Sequence, residues 1–136
     1  MAWLAKYQPQ LHSILRIVAG LLFLEHGMQK IFHFPPIPPQ MAMGPMPPSV
    51  VTLLMVAGII ELVGGALITV GLFTRIAAFI CAGEMAFAYW LGHVGRSHSL
   101  FPAVNGGDAA VLFCFVFLYI AAAGPGPWAL SRSGKI

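Results

Sequence analysis

The sequence predicts an all-α fold: a bundle of four transmembrane helices, up-down-up-down, with both termini cytoplasmic. Three observations carry that expectation. Apolar residues make up 59% of the 136 positions and charged residues only 8%. A soluble domain carries about 25% charged residues, so the solvent that suits this chain is a bilayer. Four apolar segments fill the chain, separated by Pro-, Gly- and polar-rich stretches, and a chain of this length has room for about four spans of roughly 20 residues. No segment alternates apolar and polar residues as a strand would, and only helices or closed barrels satisfy their backbone in lipid.

The first span, residues 11–32, reads LHSILRIVAGLLFLEHGMQKIF. The stretch FPPIPPQMAMGPMPPS follows. It cannot continue a helix, because each proline lacks a donor and fixes its φ. The second span covers residues 50–73 and the third residues 75–92, with Thr74-Arg75 at its start. HVGRSHSLFPAVNGG, residues 93–107, is polar and turn-rich and reads as a loop. The fourth span, residues 108–123, is stopped by GPGPW, in which Trp128 suits a headgroup-level anchor.

Basic residues set the orientation. Lys6, Arg16, Arg75, Arg132 and Lys135 fall at the end that carries both termini, and Lys30 and Arg96 at the other. The positive-inside rule then places the termini in the cytoplasm and the loops 33–49 and 93–107 outside. The expectation is a multi-pass protein of the inner (cytoplasmic) membrane. No Lys/Arg run exists to track a phosphate backbone, so nucleic acid is not an expected partner. Cys81 and Cys114 lie far apart inside apolar spans with no CxxC, which argues against a disulfide. The first apolar run is followed by EHGMQK and not by a small-residue cleavage site, so it does not read as a removable signal.

The chain has four acidic residues, one per span: Glu25, Glu61, Glu84 and Asp108. Counting ~1.5 Å per residue from each span start puts the glutamates near mid-membrane and Asp108 near the outer end. An ionisable group at a helix centre costs at least ~2.5–3.5 kcal/mol on insertion scales. The glutamates are therefore expected to face one another, or water, inside the bundle. Small residues flank them at helical spacing: Ala57, Gly58, Gly64 and Gly65 around Glu61, and Cys81 and Ala88 around Glu84. In the first span Arg16, Gly20, Phe23, Gly27 and Lys30 form one stripe bordered by His26, while Glu25 points nearly opposite Arg16 and suits a different interface. Lys30 is expected to meet Asp108 near the outer surface. Such acids either hold helices together by hydrogen bonds or line a polar pocket, and the pocket is the default for ionisable residues in a membrane. There is also an internal repeat: Arg16-Ile17 and Arg75-Ile76 are each followed by a glutamate nine positions after the arginine, Glu25 and Glu84. This suggests two duplicated hairpins.

HGMQK ending the first span, GIIELVGGALITVGLFTRIAA across the second and third, NGGDAA opening the fourth and GPGPW after it together resemble the DoxX family. The resemblance runs from Arg16 to Trp128. It implies a small four-helix integral membrane protein of bacterial or archaeal type. The family is named after a subunit of a thiosulfate:quinone oxidoreductase, and other members are associated with redox and oxidative-stress systems. A shared fold fixes a reaction only weakly. The family pattern reaches Arg16, Gly27, Lys30, Glu61, Gly64, Gly65, Arg75, Asn105, Gly106, Gly107 and Asp108. The prolines and methionines of residues 35–48 are particular to this chain.

A quinone-linked role needs an apolar slot, donors for the carbonyls and a proton relay. Glu25, His26, Gln29 and Glu61 are candidates for the polar end, and Phe23, Phe87, Tyr89 and Trp90 for the walls. Lys30, Glu84, Asn105 and Asp108 complete the candidate ligand-binding set. A histidine or carboxylate passes protons near neutral pH once its pKa is tuned. No Rossmann glycine pattern, CxxCH or iron–sulfur cysteine set is present, so electrons would have to come from a protein partner or a bound cofactor. Haem is disfavoured, because it needs two facing histidines. Only His26 lies well inside; His33, His93 and His98 fall at the outer edge and His12 at the inner. A di-iron centre is disfavoured because no Glu-x-x-His occurs. Met41, Met43 and Met46 with His33 offer an alternative thioether site for Cu(I), against the favoured reading of a Pro/Met cap that binds no metal. Three functions remain. The first is a redox-associated membrane protein with a pocket for a quinone or similar ligand. The second is a non-catalytic subunit that docks or stabilises a larger respiratory-type complex, or a homo-oligomer. The third is a transporter or proton pathway.

Overall fold

Each apolar run closes its backbone hydrogen bonds within itself. The computed structural model describes residues 1–39 and 42–131, and its regular structure is all-helical, with no strand among those residues. A short turn, α1 (Ala2–Ala5), precedes the long α2 (Gln8–Phe32). Then come α3 (Pro48–Val70) and α4 (Thr74–Phe87), which runs on without a break through a π-helical segment (Ala88–Val94) into α5 (Gly95–Ser97). A single turn, α6 (Pro102–Asn105), leads to α7 (Asp108–Ala123). Three of these helices, α2, α3 and the continuous Thr74–Ser97, are long and apolar enough to cross a membrane. The fourth, α7, is equally apolar but has 16 residues.

The helix ends follow local chemistry. Residues 8–10 join α2 ahead of the expected start, because Pro9 sits in the first turn, where a missing N–H costs nothing. The helix stops at His33, which is left-handed at φ 56°, just before the proline run. Gly71 ends α3 with φ +76°, its N–H donating to Leu67 and Ile68 carbonyls, a conformation that favours glycine. The third span outruns its expected end at 92. Gly92 and Gly95 read as loop signals, yet the Ser97 hydroxyl donates to the His93 carbonyl at 2.8 Å, and no proline intervenes before Pro102. The segment 93–107 is thus partly helical at both ends.

The four long helices pair as two hairpins. Helix α2 packs chiefly on α3, α4 chiefly on α7, α3 and α4 join the hairpins, and α2 touches α7 only lightly. Glycines make the α2–α3 seam. Gly20 lies against Thr69, Gly27 against the backbone of Glu61 and Leu62, and Gly58 against Lys30. A Cβ on Gly65 would sit 2.5 Å from the Leu24 nitrogen. Small residues allow this close backbone approach in membranes. Between hairpins, Gly64 abuts the Cys81 sulfur. Phe23, Ile68, Ala78, Cys81, Phe117 and Ile120 form the buried centre, with the Phe23 ring edge-on to Phe117 at 4.7 Å.

The same device closes each hairpin. Arg16 is fully buried and donates to the Ile68, Thr69 and Trp128 carbonyls at 2.5, 2.7 and 2.6 Å. Arg75 donates to the Ala121 and Ala122 carbonyls at 2.8 and 2.6 Å. The last carbonyls of a helix lack intrahelical partners and carry partial negative charge, so each arginine latches the C-terminus of the helix that returns beside it. Superposing the two latches pairs Gly64 of α3 with Phe117 of α7, and Ile60 with Phe113. Glycine lets α3 close on α4, whereas the two phenylalanines prop α2 away from α7. Both chain ends meet at the latch end: His12 Nε2 donates to the Gly124 carbonyl at 2.7 Å, and the Trp128 N–H to the Ser13 hydroxyl at 3.4 Å.

Candidate functional site

Nine residues at about 100° each turn a helix to its opposite face. On α4, Arg75 faces α7, so Glu84 faces α3. Glu84 lies three residues beyond Cys81, and Glu61 three residues before Gly64. Because α3 and α4 are antiparallel, both steps run the same way from the Gly64–Cys81 contact. The two carboxylates therefore occupy one depth between the hairpins.

Glu61 is 1% exposed and accepts a hydrogen bond from Lys30 Nζ at 2.5 Å. Lys30 reaches it from α2 past Gly58, whose missing side chain leaves room for the lysine stem. This corrects the expectation that Lys30 meets Asp108. The glycine seam brings α2 closest to α3, so the lysine finds the nearer acid, and Asp108 is exposed in the first turn of α7, where the helix dipole favours a carboxylate. Glu84 is half-buried and within electrostatic reach of both Glu61 and Lys30. The Oε2 atoms of Glu61 and Glu84 are buried without a hydrogen-bond partner. A buried acceptor left unpaired costs about 1–3 kcal/mol, so this cluster carries unused hydrogen-bonding capacity.

An apolar cleft of about 190 Å³ between α3 and α4 reaches Glu84, and is otherwise lined by Leu53, Val56, Ala57, Ile60, Ile80 and Phe87. Leu53, Val56, Ile80 and Phe87 are exposed, so the cleft opens on the face turned to lipid. A larger hollow of about 500 Å³ under α1, lined by Leu4, Leu11, His12, Leu15 and Tyr119 among others, lies at the latch end, away from the acids.

The remaining candidates lie elsewhere. Glu25 is exposed: it sits opposite Arg16 as Glu84 sits opposite Arg75, but α2 has no helix on that side. Glu25 thus stands on a face apart from the other two glutamates, as its position opposite Arg16 suggested, but exposed on the outside of the bundle. His26 is exposed, its Nδ1–H donating to the Leu22 carbonyl at 2.9 Å, with its ring 6.0 Å from Phe113; it stays within electrostatic reach of Glu61. Gln29 ties down the proline loop through the Pro35 carbonyl at 3.2 Å. Asn105 shapes the turn before α7, accepting from the Gly107 N–H at 2.7 Å and donating to the Ser99 carbonyl at 3.0 Å. Of the expected walls, Phe87 lines the cleft, Phe23 belongs to the core, Tyr89 donates to the Leu100 carbonyl at 2.7 Å, and Trp90 is exposed. Gly64 and Cys81, which set the spacing of the two acids, carried a signal as small residues at helical spacing. The aliphatic cleft walls carried none, since they read as any lipid-facing side chain.

Met43 accepts from the Arg96 guanidinium at 3.1 Å, a neighbour that opposes a bound cation. Met46 is half-buried and His33 exposed; Met41 lies outside the described residues. Among the described residues no three His, Cys, Asp or Glu side chains gather as a metal site would require.

The DoxX family model matches residues 11–94, the segment that holds Arg16, Lys30, Glu61, Arg75 and Glu84. An uncharacterized protein of Haemophilus influenzae is 44% identical over 130 residues, spanning 95% of this chain and 94% of that protein. An uncharacterized membrane protein of Mycobacterium tuberculosis is 28% identical over 137 residues, spanning 87% of this chain and 77% of that protein. No solved structure matches the chain.

Proposed function

The chain belongs to the DoxX family, and from that premise we propose that it binds a lipid-soluble molecule with a polar head, a quinone or close chemical relative, at Lys30, Glu61 and Glu84. One observation carries this reading. Glu84, which lines an apolar cleft that opens to lipid, has a buried carboxylate oxygen without a partner, and so does Glu61 beside it. The cleft is smaller than the ~300–1,000 Å³ of drug-sized pockets, so it suits a head group whose tail stays in the bilayer. The Lys30 ammonium donates to a quinone carbonyl, and Glu84 accepts from a quinol hydroxyl. The chain supplies binding and a proton path. Electrons come from a protein partner, which makes the protein a redox-associated component and not a complete oxidoreductase. Its place is the inner membrane, with Lys6, Arg16 and Arg75 marking the cytoplasmic end.

The test is a thermal-shift titration of the purified protein in lipid nanodiscs with a short-chain ubiquinone analogue. Saturating ligand at about 100 times its Kd adds about 2.7 kcal/mol of stability. The wild type is expected to gain this increment and Glu84→Gln to lose it, with unchanged helical content. If the wild type shows no shift, or the variant the same shift, the site does not bind this class. A foreign subunit that co-purifies stoichiometrically, with no ligand effect, would favour a non-catalytic role in a larger complex.

A further inference from the structure

Glu25 is an acid at the same height as Glu61 and Glu84, yet it stands on the outer surface of the bundle. Like Glu84 it lies nine residues from a latching arginine, about 13 Å at ~1.5 Å per residue. No hydrogen bond or ion pair engages its side chain among the described residues. Around it runs an exposed stripe along α2: Leu11, Leu15, Val18, Leu22, Glu25 and Phe32. The first four steps of this stripe alternate four and three residues, the spacing of a helix that packs along its length against another. In the second hairpin the equivalent face, the one carrying Glu84, is covered by α3. In the first, α7 meets α2 only lightly, through Phe113 and Phe117 against Phe23 and His26, and leaves Glu25 exposed.

We propose that this α2 face is the interface of a homodimer, in which Glu25 of each copy pairs with His26 of the other about a twofold axis normal to the membrane. Charge complementarity selects the occupant. An acid and a base sit on consecutive residues, both exposed. All copies share one orientation in the bilayer, so facing α2 helices run parallel and keep their depths. Glu25 of one copy then lies within about 1.5 Å in height of His26 of the other. In a twofold interface the pair occurs twice, because residue i meets j and j meets i. His26 is already oriented for it: Nδ1–H is held by the Leu22 carbonyl, which leaves Nε2 to take the carboxyl proton or to donate to the carboxylate. Either protonation state completes the bond. Polar pairs of this kind are a recurrent source of helix association in membranes. The inference stands apart from the ligand reading, since Glu25 does not line the cleft.

The experiment uses the full chain in native membranes, with Cys81 and Cys114 replaced by alanine. Leu22→Cys is expected to form an intermolecular disulfide on mild oxidation, and Phe79→Cys, more exposed but on α4, is not. Mass photometry in nanodiscs is expected to give two copies per particle. Glu25→Ala or His26→Ala is expected to weaken dimerisation about tenfold or more, and the exchange Glu25→His with His26→Glu to restore it. A single copy per particle at every concentration would overturn the proposal. So would crosslinking at α4 in place of α2, a different chain as the second subunit, or an exchange variant no better than the single replacements.

Discussion

Replacing Lys30 by methionine isolates the contact on which the candidate site depends. Nζ lies 2.5 Å from Glu61 Oε1. At an effective dielectric of ~20 the gross attraction at that distance is about 6–7 kcal/mol, of which the desolvation of both ions cancels several kcal/mol. Glu61 is 1% exposed and Lys30 28%. Lys30→Met therefore leaves an almost fully buried carboxyl without its cation, for which breaking buried pairs gives ~3–5 kcal/mol. The partial exposure of Lys30 places the expected loss near 3 kcal/mol, at the low end of that range. Glu61→Leu alone leaves a half-buried lysine, at about 1–2 kcal/mol. The double variant removes both charges and is expected to recover a coupling of about 2 kcal/mol. The assay is reversible unfolding in mixed micelles, followed by tryptophan fluorescence, in a complete double-mutant cycle. Additivity within ~0.5 kcal/mol would falsify the pairing and with it the geometry of the site.

Two further predictions concern the scaffold. Arg16→Lys is expected to destabilise by about 3 kcal/mol and Arg75→Lys by less. Lysine cannot reproduce the guanidinium fork, and Arg16 is fully buried with three carbonyl acceptors; equal effects in micelle unfolding would show that burial does not set the difference. Gly65→Ala is expected to disrupt folding, since its Cβ would lie 2.5 Å from the Leu24 nitrogen. Gly83→Ala, with nothing within 4 Å of its Cβ, should gain the ~0.8–1 kcal/mol by which alanine exceeds glycine in a helix. Loss of stability at Gly83 would contradict the packing described.

The spans were legible because lipid demands long apolar runs and proline ends a helix; the loop expected over 33–49 is cut short because α3 starts at Pro48, where a proline fits the first turn. Depth was legible too, since it needs only a count along each helix. Partner choice was not. Glu25 and Glu84 have identical spacing from an arginine, yet one is exposed and the other half-buried beside α3, a difference set by how the helices pack and not by the spacing. Lys30 had two acids on its own side of the bundle. The glycine seam at Gly27 and Gly58 chose between them, and the closeness of one helix pair over another is a property of the packed set.

The arginine latches bear on how the chain is made. Arg16 emerges from the ribosome 52 residues before the Ile68 carbonyl that receives it, and Arg75 46 residues before that of Ala121. Each outgoing helix therefore carries a charge that finds two carbonyl acceptors at the end of the helix that comes back, and Arg16 gains its third, Trp128, only after the fourth span. The smallest unit that pairs each arginine with helix-end carbonyls is a hairpin and not a single span.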